Sequence, residues 1–339
     1  MRHIDDDERR ARLGVRHGLA PGCGARDPAG AATAVVALHG TDLPSVYLSV
    51  RARAHGVSRA DVDAALFAAR DIVPVLAMRR TLFVFPRALV GAAWGSAGAR
   101  VADAEERRLA RRLEEAGLAA SGAAWLAAAQ EDVEAACAGA PGGLGAAGVR
   151  AALPTRDLAL PARPGAWGRE TPVLPQVLTL MGARGRLVRA SNGGTWRAWR
   201  PAWAPSARVL PGVEATTTAT GYARICRAWL ERFGPGTEDD LVWWLGSTKR
   251  DARAALRDAG AVAVTLDAGA VGYVAPGDED PVGPAAPWVA LLPALDPSTM
   301  GWRHRGHHLD PGDAAYVFDT AGNGGPTAWV DGRIAGSWV

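Results

Sequence analysis

Long apolar runs are missing from this 339-residue chain, and cysteine and lysine are scarce. No stretch approaches the roughly 20 apolar residues that cross a bilayer, and the charged first residues, MRHIDDDERR, exclude a signal peptide. The three cysteines, Cys23, Cys137 and Cys226, lie far apart without metal-binding or redox spacing, so we interpret them as reduced structural residues. A cytoplasmic protein without metal or cofactor is expected.

Lysine occurs once, at Lys249, so the other 37 of the 38 basic residues are arginines. Arginine offers a planar donor fork that suits phosphates and base edges. The net charge of only +3, however, produces no basic field that would demand nucleic acid. A GC-rich genome explains the same bias, along with the many alanines and glycines, so arginine content alone identifies no binding face.

The composition is that of folded domains. Hydrophobic residues make up 48% of the chain and charged residues 22%, which argues against disorder. The length is too great for one small core and fits two to four modules.

Residues 35–50, VVALHGTDLPSVYLSV, hold three polar side chains close together: His39, Thr41 and Asp42. The composition predicts a helix over Ala31–Leu38 that ends at Gly40, and a second helix capped by Thr41 or Asp42. Polar groups at such a helix–corner–helix can converge on one spot. An ordinary helix-end histidine, turn threonine and cap aspartate would give the same pattern.

This stretch resembles the signature corner of the AlkZ-like winged-helix DNA glycosylases. In that family an apolar run leads into Gln-x-Gln, commonly followed by Asp and a Tyr-Leu-Ser helix. The chain keeps Asp42 and Tyr47-Leu48-Ser49, but His39 and Thr41 occupy the two glutamine positions.

Two further stretches resemble the same family. Residues 75–86 resemble its Met-Arg-Gly-Thr-Leu strand, with Arg80 in place of the glycine. The tail resembles its C-terminal element in LLPALDPSTMGWRHR and again in TAWVDGRIAGSW. The resemblance covers the chain from about residue 31 to the end, and chains of the family usually continue beyond the final tryptophan.

The resemblance implies an α+β, mainly helical fold: three tandem winged helices and a C-terminal β-rich, barrel-like element, C-shaped around DNA. The residues themselves indicate this most clearly in the third unit, where helix, turn, basic helix and wing follow one another. The expected units are 1–118 with the corner, 119–214 with a hairpin wing, 215–276, and 288–339 beyond an acidic, proline-rich linker.

Local patterns predict the individual elements. Ser58 to Asp61 and Thr237 to Asp240 read as capping boxes, and Asn192-Gly193 indicates a hairpin between GRLVRA and TWRAW. Other predicted elements are helices over 5–20, 100–118, 121–137, 173–182, 217–233 and 248–259, an irregular connector over 154–170, and strands over 81–85, 261–267, 271–274, 289–292, 327–330 and 333–338.

Family members hydrolyse the N-glycosidic bond of alkylated purines, and several act on bulky adducts or interstrand crosslinks left by antibiotics, which gives self-resistance. An N7- or N3-alkylated purine is a cationic leaving group, so the enzyme need only position water and stabilise an oxocarbenium-like state. In the family the two glutamines hold the water. His39 and Thr41 can both accept its hydrogen bonds, and Asp42 can supply negative charge or simply cap its helix. The altered pair suggests either a specialised branch for a different adduct or a loss of catalysis.

Basic residues on the predicted helices, wings and C-terminal loop are candidate DNA contacts. They are Arg79, Arg80, Arg186, Arg189, Arg197, Arg200, Lys249, Arg250, Arg253, Arg303, His304, Arg305, His307 and His308. For three groups of these residues an alternative to DNA contact stays open. These alternatives are a solvated arginine pair at 79–80, a hairpin with buried tryptophans at 186–200, and a solvated or metal-binding loop at 303–308.

A Schiff-base lyase step needs an amine, and the only side-chain amine is that of Lys249. We therefore expect a monofunctional glycosylase, monomeric and nucleoid-associated, acting on double-stranded DNA that carries alkylated purines. Two rival classes are a non-catalytic winged-helix regulator and an adduct-binding protector. A regulator usually has one winged helix and dimerises to match operator symmetry, whereas this chain has three unlike units.

Overall fold

The computed structural model describes residues 1–162 and 170–338 of the chain. Within them the fold mixes helices with small sheets of two or three strands. Residues 163–169, which belong to the predicted irregular connector, and residue 339 lie outside the described residues.

The N-terminal segment is part of the folded body. β1 (His3–Ile4) pairs in parallel with a strand of the third unit, and α1 (Asp6–Arg16) follows it. Arg12 of α1 is 1% exposed and forms ion pairs with Glu8 and Asp278. The predicted helix is thus present, and its ion pairs tie it to the linker before the C-terminal element.

The first unit runs in the order helix, strand, two helices and a strand pair. Its elements are α2 (Pro28–Ala34), β2 (Leu38–His39), α3 (Leu43–Arg53), α4 (Arg59–Phe67), β3 (Ile72–Leu76) and β4 (Leu82–Pro86). The three strands form an antiparallel sheet in the order β2-β4-β3. The capping box of α4 is confirmed, because Ser58 and Asp61 exchange side-chain to backbone hydrogen bonds.

The helix predicted over Ala31–Leu38 is wrong in its second half. It ends at Ala34, Val36 has a φ of +63°, and the chain then pairs with β4 as β2. Gly40 is no helix cap either. A Cβ at this position would lie 3.1 Å from Val84 Cγ2 and 3.2 Å from the Leu82 carbonyl oxygen, so glycine lets the chain approach β4 without displacing its atoms.

The second unit repeats this order with one insertion, a short strand pair between its second and third helices. α5 (Arg87–Ala93), a π-helical turn (Trp94–Gly98) and α6 (Ala99–Glu115) lead into it. Its elements are α7 (Gly122–Gly139), β5 (Leu144–Gly145), α8 (Ala146–Ala152), β6 (Ala159–Leu160), β7 (Thr171–Pro172), α9 (Leu174–Arg184), β8 (Leu187–Asn192), β9 (Pro201–Pro205) and α10 (Ser206–Val209). The main sheet has the order β5-β9-β8.

The hairpin of the second unit has a longer loop than predicted. TWRAW, residues 195–199, lies in the loop between β8 and β9 instead of forming a strand. The Asn192 side chain organises this loop: its amide donates to the Thr195 and Ala198 carbonyls, and its oxygen accepts from the backbone N–H of Arg200 at 2.6 Å.

The third unit has two helices between its first helix and its strand pair. It contains α11 (Thr218–Phe233), α12 (Glu238–Leu245), α13 (Lys249–Asp258), β10 (Val262–Leu266) and β11 (Val271–Val274). The capping box at Thr237 and Asp240 is confirmed, and α13 is capped by Thr248. Gly236 forms an isolated bridge with Tyr273 of β11. In all three units, therefore, the last strand lies between the earlier two strand segments.

The C-terminal element is an open sheet. It consists of β12 (Val289–Leu292), α14 (Pro297–Met300), α15 (Ala314–Val317), β13 (Thr327–Val330) and β14 (Arg333–Ser337). The strands pair in the order β12-β13-β14, and both outer strands are edges within the described residues. The barrel-like expectation is therefore wrong, although the three strands are present as predicted.

One large apolar core unites the first unit, the third unit and the C-terminal element, with Leu38, Trp229 and Trp329 nearly or fully buried in it. The second unit has a core of its own around Leu126 and Met181. The corner at residues 39–42 therefore lies at the edge of the large core, beside the C-terminal element.

Candidate active site

His39 is held by strand pairing and by burial. It stands opposite Phe83 on β4, its ring centroid is 5.3 Å from that of Phe83, and the residue is only 7% exposed. Its Nδ1 atom is buried and has no hydrogen-bond partner among the described residues. A buried polar atom without a partner carries a free-energy cost, and such atoms are often kept for a ligand or a water.

The imidazole of His39 is neutral near pH 7. Burial, and after it the neighbouring Arg79, lower the pKa of His39 to about 4, while Asp42 opposes the shift. A neutral imidazole has one nitrogen that accepts a hydrogen bond. His39 can therefore accept a hydrogen from water over the whole physiological pH range.

Thr41 and Asp42 follow on the exposed side of the corner, and only Thr41 contributes to the cleft. Asp42 caps α3 as predicted: its carboxylate accepts from the Ser45 backbone N–H at 3.2 Å and from the Ser45 hydroxyl at 2.7 Å. Thr41 lines a cleft together with His39, and Asp42 is not among the lining residues of that cleft.

This cleft lies between the corner and the C-terminal element. Its volume is about 640 Å³, which corresponds to roughly twenty waters at about 30 Å³ each. One wall is formed by His39, Thr41 and the turn at 80–81, and the other by 294–295, 316–319 and 323–325.

The second wall was missed at the sequence level. The tail resembles the family pattern, but no feature of its sequence indicates that it lies close to His39. The Asp-, Asn- and Gly-rich run from Asp319 to Gly325 was a visible turn signal.

A buried ion pair fixes the two walls relative to each other. Arg53, at the end of α3, donates to both carboxylate oxygens of Asp296 at 2.9 and 2.7 Å, and both side chains have 0% exposure. The Ser49 hydroxyl and the Ser298 backbone N–H also donate to Asp296. Asp296 directly follows Leu295 of the cleft wall, so this network anchors that wall to the helix that starts at the corner.

Two arginines share one indole next to the cleft. The Arg79 guanidinium lies over the Trp243 ring, 4.1 Å from its centroid. Arg305 lies 5.1 Å from the same ring and 3.9 Å from the ring of Phe318, which lines the cleft. Neither forms an ion pair among the described residues, and burial, then Arg79, lower the pKa of Arg305 only to about 10. Both therefore stay charged at pH 7.

The turn that carries Arg79 is conformationally strained. Arg79 and Arg80 both have positive φ, +52° and +59°, a region that costs L-residues roughly 1–2 kcal/mol each. The exposed Arg80 forms an ion pair with Glu105 at 3.1 Å and lines the cleft. The two arginines thus occupy a tight turn between β3 and β4.

The other candidate DNA contacts fall into two groups. Arg197, Arg200, Arg250, Arg303 and His304 are exposed, whereas several others are already paired. Arg186 pairs with Glu131 and Glu134, Lys249 with Asp239, and Arg253 with Glu238. Arg189 is largely enclosed against Trp199 and Trp203, and burial lowers its pKa to about 10.

His307 and His308 lie in the interior, with exposures of 2% and 0%. Their rings share a hydrogen bond of 2.9 Å between His308 Nδ1 and His307 Nε2. Burial lowers the pKa of both well below the ordinary value. This removes them from the candidate DNA contacts, because a neutral, buried pair offers no charge to a phosphate. The described residues contain no group of three or more His, Cys, Asp or Glu placed to hold a metal ion.

A residue that the sequence analysis did not place here is Trp199, in the loop of the second unit. Its indole Nε1 donates to the Gly40 carbonyl at 2.7 Å. The second unit thus contacts the backbone of the corner directly, between His39 and Thr41.

Comparisons with known proteins agree with this architecture. Among solved structures, the DNA glycosylase AlkZ of Streptomyces sahachiroi aligns with a TM-score of 0.76 over 100% of this chain and 88% of that chain, at 18% identity. At that identity the match shows the fold alone. A search of curated protein sequences gives no significant match.

A family model described as DNA glycosylase AlkZ-like matches residues 32–339. The class of protein is therefore DNA glycosylase, a hydrolase that acts on DNA. Because the match covers most of the chain, the protein belongs to the AlkZ-like DNA glycosylase family, which confirms the resemblance seen at the corner. Among the described residues, no helix combines the length and apolarity that crossing a bilayer requires.

Proposed function

We propose that the protein hydrolyses the N-glycosidic bond of bulky alkylated purines in duplex DNA, with His39 and Thr41 holding the attacking water. The substrates are N7-guanine or N3-adenine adducts or interstrand crosslinks, and the biological role is self-resistance to an alkylating antibiotic. The observation that carries the proposal is the shared cleft, in which a neutral His39 with an unpartnered ring nitrogen adjoins Thr41.

The reaction needs little from the protein beyond placement and electrostatics. The bond between the sugar C1′ and the alkylated base breaks, and its electron pair leaves with the base, which becomes neutral. Water then adds through its oxygen to C1′. Its surplus proton passes to His39 or to solvent, and an abasic sugar remains. A base with a pKa of about 4 is weak, but capture of an oxocarbenium ion by oriented water requires no strong base.

We further propose that the three repeated units are winged helices arranged in a C shape around DNA, in a monomer that clamps one lesion. Support comes from the recurring order of helices and strands and from the central position of the last strand in each unit. Exposed Arg197, Arg200, Arg250, Arg303 and His304 offer phosphate contacts. Arg79 and Arg305, which form no ion pair with another described residue, add two guanidinium groups at the cleft edge.

The direct test incubates the wild-type protein with duplexes that contain a single N7-alkylguanine or a crosslink. We expect release of the alkylated base and an intact abasic strand. Borohydride should trap no covalent complex, because the Lys249 amine pairs with Asp239 at 3.0 Å and does not line the cleft. Binding of unmodified operator-like DNA without release would identify a regulator. Tight binding of the adduct without release would identify a protector.

The pH profile of base release reports the state of His39. The active form is the neutral imidazole, and its pKa is lowered from 6.5 to about 4. The rate should therefore stay level from about pH 8 down to about pH 5 and decline only as the pH approaches the shifted pKa. Spontaneous depurination is subtracted with enzyme-free duplex, and circular dichroism at each pH checks folding. A decline centred near the ordinary histidine value, absent in His39→Gln, would contradict this assignment.

A further inference from the structure

The cleft contains one acidic residue among its lining residues, and it lies on the C-terminal wall: Asp319. It opens a tight loop that runs to Asn323. The Asp319 N–H donates to the Asn323 carbonyl at 3.0 Å, and the Gly322 N–H donates to the Asp319 carbonyl at 2.9 Å. The two backbone bonds close the loop on itself, so the position of Asp319 is defined locally.

The carboxylate of Asp319 is oriented by three donors. Oδ1 accepts from the N–H groups of Ala321 and Asn323 at 2.9 and 2.8 Å, and Oδ2 accepts from the Asn323 side-chain amide at 2.9 Å. Hydrogen bonds from Asn323, the side-chain amide first, hold the pKa of Asp319 below its ordinary value. No cation pairs with it among the described residues. An ionised, oriented carboxylate without a counter-ion thus lines the same cleft as His39.

Asp42 does not meet this description. Its carboxylate is committed to the cap of α3, and it does not line the cleft. Hydrolysis of an alkylated purine produces positive charge on the sugar at the moment the base departs, and a preorganised negative charge nearby lowers that barrier. Glycosidases use two carboxylates because one must protonate the leaving group. A cationic purine needs no such proton, so one carboxylate is enough.

We propose that Asp319 is a catalytic residue that faces the sugar across the cleft and stabilises the oxocarbenium-like transition state by charge alone. This inference rests on the proposed glycosylase function and goes beyond it, because it moves the negative charge from the first unit to the C-terminal element. No bond forms to Asp319. His39 and Thr41 orient the water. The Asp319 carboxylate stabilises the positive charge on the sugar until that water has added to C1′ and lost its proton.

The test compares Asp319→Asn with three other variants on one adducted duplex. Asparagine keeps the shape and the oxygen that accepts from the Ala321 and Asn323 N–H groups. It removes the charge and also the oxygen that accepts from the Asn323 side-chain amide. We expect kcat to fall about 100-fold, with KM for DNA unchanged or lower, since one negative charge near the phosphates is gone. Asp319→Glu, which keeps the charge, should recover part of kcat. Asp42→Asn keeps a good cap and tests the alternative position of the charge: a fall in kcat as large as that of Asp319→Asn would overturn the inference. Asp313→Asn, at an exposed aspartate on the same segment, is the matched control and should stay within about twofold of wild type.

The outcomes separate the inference from the function on which it rests. A wild type that releases no base from any adduct removes the glycosylase proposal, and this inference with it. A wild type that is active while folded Asp319→Asn matches it in kcat overturns the inference alone. An equal loss in Asp319→Asn and Asp319→Glu with lowered melting temperatures would mean that the loop geometry matters and the charge does not, which also overturns it.

Discussion

Replacement of Asp296 by alanine is expected to lower the free energy of unfolding by about 3–5 kcal/mol, because it leaves the buried Arg53 charge without its partner. Burial pushes the pKa of Asp296 up, but Arg53 and the surrounding donors outweigh burial and hold the net pKa below its ordinary value. The carboxylate is therefore ionised, and its loss strands a guanidinium with 0% exposure. Urea denaturation followed by circular dichroism measures the change.

Two variants isolate the ion pair from the helix cap that Asp296 also provides. Asp310→Ala removes an exposed aspartate whose carboxylate likewise accepts from the backbone N–H two residues later, at 2.8 Å. This variant should lower the free energy of unfolding only by the contribution of a helix cap, about 0.5–2 kcal/mol. The double variant Arg53→Met with Asp296→Leu should recover much of the stability, because apolar residues of similar size replace buried ion pairs with little loss. If Asp296→Ala and Asp310→Ala were equally stable, the ion pair would not anchor this wall.

Local signals were read correctly from the sequence because their partners lie within one helical turn. The capping boxes at Ser58 and Thr237 each need only the aspartate three residues later, and both form. Asp42 capping α3 follows the same logic. The strand pair of the third unit was also evident, since its turn directly joins the two strands.

The conformation of His39 was misread because it depends on a distant strand. Alanine-rich sequence favours a helix through Leu38, but pairing of Leu38 with Val84 and His39 with Phe83 converts this stretch to a strand. The consequence is functional. A strand with Phe83 beside it holds the imidazole buried and neutral, whereas a helix end would have left it solvated and near its ordinary pKa.

The composition of the cleft was beyond sequence reasoning for a related reason. Its two walls are separated by more than 200 residues, and the ion pair that joins them, Arg53 with Asp296, links side chains far apart in the chain. The contact of Trp199 with the Gly40 carbonyl, which joins the second unit to the corner, is also between residues far apart in the chain. The alternation in TWRAW is typical of a strand. The Asn192 amide instead holds these residues in a loop through hydrogen bonds to two of their carbonyls, and Trp199 at the end of this loop contacts the corner.

Replacement of His39 by alanine is expected to reduce kcat for base release about 100-fold or more, since oriented water and its proton acceptor are lost together. Thr41→Ala should cost less, about tenfold, because the exposed hydroxyl is one of two groups that hold the water. His39→Gln should retain most of the activity, as glutamine also offers a neutral acceptor. Single-turnover base release from an adducted duplex measures the chemical step without product release.

His55→Ala is the matched control, because this histidine is exposed just beyond α3 and does not line the cleft. It should leave kcat unchanged. His39→Ala also removes a buried ring that packs against Phe83, so its melting temperature must be compared with that of His39→Gln, which fills more of the space. If both variants release base slowly but only His39→Ala has a lowered melting temperature, the loss of kcat would reflect chemistry specific to imidazole. Undiminished base release by both His39→Ala and Thr41→Ala would exclude the corner as the site of catalysis, and would leave the C-terminal wall as the place to seek the residue that binds the water.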